Sequence, residues 1–157
     1  MAAMVGELAV EFNLPDTDAH VRWLSEFHRL GPAVLLFLPS AYGIRPRWQL
    51  WSLLRHYDSF IDMATEIVVV TPDPLPELRI FHIRRGFPFV FLSDRDATVA
   101  RNYDVPAGCA GAFVITTGGV IRLHRVVDGT GLRSSASSLL RVLRRLDRRD
   151  RLPARAS

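Results

Sequence analysis

The sequence contains no lysine; all 20 of its basic side chains are arginine, which with abundant alanine and valine fits the codon usage of a GC-rich genome. It has one cysteine, Cys109. A single cysteine excludes an internal disulfide, two-cysteine chemistry within one chain, and a cluster of thiolates around zinc or iron and sulfur. There is no long apolar run. The longest, Ala33 to Leu38, ends at Pro39 and falls far short of the roughly 20 residues that span a bilayer, so no membrane partner is expected. The stretch from Met1 to Val10 has no basic region leading into an apolar one, so no secretory leader is expected and a cytoplasmic address is the default. His20, His28, His56, His82 and His124 never stand three or four apart. Neither a metal site nor a cofactor is expected.

What is present suits a packed domain. With 157 residues, 48% of them hydrophobic, the chain can bury one continuous core. One domain over residues 1–147 is expected, followed by an Arg-rich tail over 148–157 that carries no apolar stripe and reads as disordered. The net charge of +4 comes largely from late arginines, among them Arg133, Arg141, Arg144, Arg145, Arg148, Arg149, Arg151 and Arg155. Asp147 and Asp150 interrupt that run and no aromatic side chains are interleaved for stacking. It reads as a solvated helix face, and nucleic acid is not the expected partner.

Hydrophobic spacing orders the chain. Val5 to Asp18 is a short extended stretch closed by Pro15-Asp16, which predicts an edge hairpin. Ala33-Val34-Leu35-Leu36-Phe37-Leu38 is apolar on both faces, as a central parallel strand must be. Leu50, Leu53, Leu54, Tyr57 and Ile61 recur at three and four, predicting one helix from Pro46 to Met63 with a single broad buried face. A strand over Glu66–Thr71, a helix over Pro74–Arg84 stopped by Gly86, and a strand over Phe87–Leu92 follow. A short helix capped by Asp94 or Asp96 comes next. Two strands around Thr117-Gly118-Gly119 and a last helix from about Ser134 close the domain. This is an α/β fold, a mixed central sheet covered by helices on both faces. Asp16, Asp18, Asp73, Asp94 and Asp96 sit in turns or near helix starts, where capping accounts for them.

Several segments in this order and spacing carry a resemblance: Gly6 through Phe12 and Leu14-Pro15-Asp16-Thr17-Asp18; Val34-Leu35-Leu36-Phe37-Leu38-Pro39-Ser40-Ala41-Tyr42; Ile67-Val68-Val69-Val70-Thr71 with Asp73; Phe87-Pro88-Phe89 with Leu92-Ser93-Asp94; Val99 to Val105; and Gly111-Ala112-Phe113-Val114-Ile115. From about Val5 to Val127 the sequence resembles the peroxiredoxin superfamily, the alkyl hydroperoxide reductase and thiol-specific antioxidant type of redoxin. The resemblance implies a thioredoxin-like fold. It also implies an active site written as Pro, three residues, Thr or Ser, two residues, Cys, commonly with a Glu three further on. Laid on Pro39, these positions fall on Gly43, Pro46 and Gln49, and the family's later Arg position falls on Ala110. A peroxide-reducing thiolate needs a helix N-terminus and an adjacent guanidinium to lower its pKa. Thiol, hydroxyl and guanidinium are therefore all absent from the matching positions.

Three functions follow from that comparison. The first is a redoxin-fold binding or interaction module without peroxidase activity, working as a homodimer or beside a catalytic redoxin. The second is a thiol-dependent antioxidant oxidoreductase in which Cys109, placed by the resemblance on a loop facing the vacant site, has become the nucleophile. A lone cysteine between Gly108 and Ala110 is more often an inert small residue. The third is a non-redox enzyme or a binder of a small anionic molecule, using the vacant site at the N-terminus of the helix near Pro46, bordered by Tyr42, Arg45, Arg47 and Trp48. The more ordinary reading there is that both arginines are solvated and Trp48 is core.

Overall fold

The computed structural model describes residues 4–128 and 136–146, with the backbone alone at 44, 45 and 128. The expected tail and the start of the last helix near Ser134 lie outside the described residues. In chain order the elements are β1 (Asn13–Pro15), β2 (Val21–Trp23), α1 (Leu24–Phe27), β3 (Ala33–Phe37), α2 (Ile44–Arg55), α3 (Tyr57–Asp62) and β4 (Glu66–Thr71). They continue with α4 (Leu75–Arg85), β5 (Val90–Ser93), α5 (Thr98–Asn102), β6 (Cys109–Ile115), β7 (Ile121–Asp128) and α6 (Ala136–Arg145).

Five strands form one mixed sheet in the order β5-β4-β3-β6-β7. β3 pairs in parallel with β4 and antiparallel with β6, and β4 and β5 are parallel while β6 and β7 form the antiparallel hairpin. This is a thioredoxin-like α/β fold. β3 is fully buried because it is central and both of its faces are covered. Strand alternation sends Val34, Leu36 and Leu38 to one face, where Leu50 and Leu53 of α2, Phe60 of α3, Leu78 and Phe81 of α4, and Leu139 and Leu143 of α6 pack. Leu35 and Phe37 face the other way, against Leu24 and Phe27 of α1, Val99 of α5, Tyr103 and Phe113. Tyr103 donates its hydroxyl to the Val10 carbonyl and so ties the N-terminal segment to this second layer. Burial, with Glu11 acting in the same direction, pushes its phenol above the ordinary value.

Two close approaches fix the connections. A Cβ on Gly31 would stand 2.0 Å from the backbone oxygen of Ala64, so the chain entering β3 lies directly against the turn entering β4. Gly31→Ala is expected to cost about 3 kcal/mol or more, because backbone must move to admit the methyl. A urea melt with an unchanged midpoint would disprove this packing account. Asp16 organises the turn between β1 and β2, with Oδ1 accepting the N–H groups of Asp18 (2.9 Å) and His20 (3.0 Å) and Oδ2 taking Arg22 at 3.3 Å. Burial alone would raise this carboxyl, but the His20 and Asp18 amides and the Arg22 guanidinium outweigh it and hold it below the usual range.

Two elements differ from the sequence expectation. The helix expected from Pro46 to Met63 is two helices, because the chain turns at His56, whose N–H bonds back to Leu53 at 3.1 Å. That turn breaks the helical register, and Ile61, expected on the buried face, is exposed. The strand expected from Phe87 begins only at Val90. Phe87 and Phe89 instead stack on each other with centroids 5.7 Å apart, and Pro88 between them supplies no ladder N–H.

Candidate functional site

β3 delivers the chain into the loop from Leu38 to Gly43, and that loop is held by one carboxylate. Asp73, just beyond β4, accepts the Ser40 hydroxyl at 2.8 Å, the Ala41 amide at 2.7 Å and the Thr71 hydroxyl at 2.8 Å. Its own carbonyl accepts the Ser93 hydroxyl of β5 at 2.7 Å. Three strand ends are thereby gathered around one residue. Sequence reasoning took Asp73 for a turn cap; the pairing of Ser40 and Thr71 with a carboxylate between them in space is not visible in the linear order.

The loop then enters α2. The helix starts at Ile44, two residues before the expected start, with Gly43 as its N-cap at φ +121° and no side chain capping it. Only glycine adopts that backbone comfortably, and a threonine at position 43 would resist it. Pro46 is buried in the first turn, where its missing N–H costs no helical hydrogen bond. Gln49 is buried as well. Arg47 and Trp48 point outward, and Trp48, with 73% of its surface exposed, is not core. The side chain of Arg45 lies outside what is described. Tyr42 donates its hydroxyl at 2.7 Å to the Glu77 carbonyl and sets its ring against Phe81, so it joins α4.

Ala110 is fully buried among the side chains of the α2 face. Cys109, its neighbour in β6, therefore projects from the opposite face and packs against the layer of α1 and α5. The expectation that Cys109 sits on a loop facing the vacant site does not hold: it is the first residue of a strand, and alternation turns it away from α2. Its surroundings are a cavity of about 200 Å³ lined by Pro39, Thr71, Asp94, Ala97, Val105 and Cys109, among others. Of the positions singled out in the sequence, Pro39 and Cys109 thus meet there. Pro46, Gln49 and Ala110 belong to the α2 side.

Asp94 does cap α5, accepting the amides of Val99 and Ala100. One group of potential metal ligands occurs among the described residues, Asp16, Asp18 and His20. Both oxygens of Asp16 are already engaged, and Arg22 supplies the positive charge beside it.

This architecture can be compared with known proteins. The model of the AhpC/TSA family matches residues 5–124. The chain belongs to the AhpC/TSA family. A protein named as a peroxiredoxin in Mycobacterium tuberculosis, in strains CDC 1551 and H37Rv, is 29% identical over 109 residues, covering 69% of this chain and 71% of the relative. Peroxidoxin BcpB from the same organism superimposes with a TM-score of 0.81 at 26% identity, over 91% of this chain and 97% of that one. The mitochondrial 2-Cys peroxiredoxin from Plasmodium falciparum gives 0.73 at 20% identity, over 90% and 92%, and shares the fold. For this AhpC/TSA chain the likeness therefore extends from the sequence to the fold of about nine-tenths of its length. No helix among the described residues is long and apolar enough to cross a membrane.

Proposed function

We propose that this protein is a redoxin-fold binding or interaction module that does not reduce peroxides. The observation that carries the reading is the first turn of α2: Pro46 is buried there, Gly43 caps it at positive φ, and Ala110 is fully buried behind it. A proline offers no nucleophile, and an alanine cannot stabilise a thiolate or hold a peroxide oxygen. The surface that remains around this turn is aromatic and cationic, which suits binding. With hydrogen peroxide or an alkyl hydroperoxide and excess dithiol, turnover is expected at background for the wild type and unchanged in Cys109→Ala. Robust turnover by the wild type sinks the proposal.

One observation favours a second reading. Cys109 forms part of a cavity wall with Pro39 and Thr71, a concave setting that could admit a small hydroperoxide. In that reading the thiolate takes one peroxide oxygen to become a sulfenic acid, the other leaves as water or alcohol after protonation, and an external dithiol reduces the sulfenic acid. It requires a thiol well below the reference of about 8.5. Alkylation of Cys109 by iodoacetamide that falls away below that reference pH, as for an ordinary thiol, would remove it.

A further inference from the structure

α2 has two apolar faces where a surface helix ordinarily has one. Leu50 and Leu53 fill the core side. On the outer side Arg47, Trp48, Trp51 and Arg55 fall within an arc of about 100°, and both tryptophans are exposed, Trp51 by 49%. The outer face continues onto α4 through touching rings. Trp51 meets Phe87 edge-on at 6.1 Å, Phe87 stacks on Phe81 at 6.2 Å, and Phe81 meets Tyr42 at 5.3 Å. Phe81 and Phe87 are buried and form the rigid backing, while Tyr42, Trp51 and Trp48 present the outer surface. Ile80, one residue before Phe81 on α4, is exposed as well.

Charge says what kind of surface covers this one. Arg47 and Arg55 flank the tryptophans, Arg85 lies over the Phe81 ring at 6.0 Å, and Arg84 follows Ile80 by one turn. Among the described residues no ion pair engages any of these four guanidinium groups. Glu77 is the acid on this side of α4. A second copy docked through the same patch would bring a second net-positive surface against this one, since a two-fold interface pairs a surface with itself.

We infer that the α2–α4 face docks an acidic segment of another protein, one that carries aliphatic or aromatic anchors between its carboxylates. The inference rests on the reading of this chain as an interaction module and names the chemistry of its partner. Tryptophan, tyrosine and arginine are the side chains that dominate binding energy at interfaces, and here they form one continuous patch. The aromatic groups supply buried contact area. The arginines select carboxylates and speed encounter at low salt.

The test uses the full chain and a fluorescein-labelled helical peptide of about twelve residues that alternates Glu and Asp with Leu and Phe. Micromolar binding by anisotropy is expected, weakening with salt. Trp48→Ala, which removes an exposed ring and leaves the fold intact by circular dichroism, is expected to weaken it about thirtyfold. The pair Arg47→Glu and Arg55→Glu is expected to weaken it at least about tenfold, and replacing the peptide's acids by Lys to abolish it. Several results overturn the inference: no binding of the acidic peptide, equal binding of the Lys peptide, or binding indifferent to Trp48→Ala. So would tighter binding of oligothymidylate, or a concentration-dependent dimer that Trp48→Ala dissolves. Absence of peptide binding in a protein that also fails to turn over peroxide removes this partner class alone. Peroxide turnover removes the underlying reading instead.

Discussion

Ala110→Arg is expected to lower the unfolding free energy by about 4 kcal/mol or more, because it forces a guanidinium into a closed apolar layer. Ala110 has no exposed surface and is packed with Leu38, Leu50 and Leu53 in the layer beneath α2. A guanidinium there needs an anion, and the cluster of buried side chains around Ala110 is apolar. The charge would be buried without a counter-charge, the most costly form of a polar substitution in a core. A fall in melting temperature of about 10 °C or more should accompany it. If the variant melted with the wild type, the site would hold room or an anion that the packing denies, and the case for a closed, non-peroxidatic site would weaken.

Asp73→Ala is expected to cost about 3 kcal/mol, from three donors left without their charged acceptor. The Ser40 and Thr71 hydroxyls can turn to other partners, but the Ala41 amide is fixed in the backbone and Ala41 is 1% exposed. The damage should therefore be local as well as global. Hydrogen exchange at the Ala41 amide is expected to accelerate far more than at the central strand β3, since the loop loses its anchor while the sheet keeps its ladder. Unaltered protection at Ala41 would show that the loop is held by packing and that the carboxylate is incidental.

The sheet could be read from the sequence because β3 and β4 are apolar at nearly every position, a pattern that only a strand covered on both faces tolerates. The family could be read for the same reason, since the matching segments are the buried strands and their exits. Side-chain direction was harder. Cys109 and Ala110 are adjacent in sequence yet on opposite faces of the sheet, so a shift of a single residue decides which of them meets α2. The second apolar face of α2 was hidden by the first. Leu50, Leu53, Leu54 and Tyr57 make so regular a stripe that Trp48 is taken into the core and Trp51 passes unnoticed, although the pair stands three apart between Arg47 and Arg55. Asp73 reads only as a turn residue in the sequence, because Ser40 and Ala41 are brought to it by the fold.

All three tryptophans of the chain, Trp23, Trp48 and Trp51, stand at the surface, and the large side chains of the interior are phenylalanine, tyrosine and leucine. The intrinsic emission of the native protein should accordingly lie at longer wavelength than that of a buried indole and move less when the chain unfolds. Two of those indoles occupy the α2 face. An optical signal is thus placed where a docked molecule would shift it to the blue, so the protein carries a built-in reporter of occupancy.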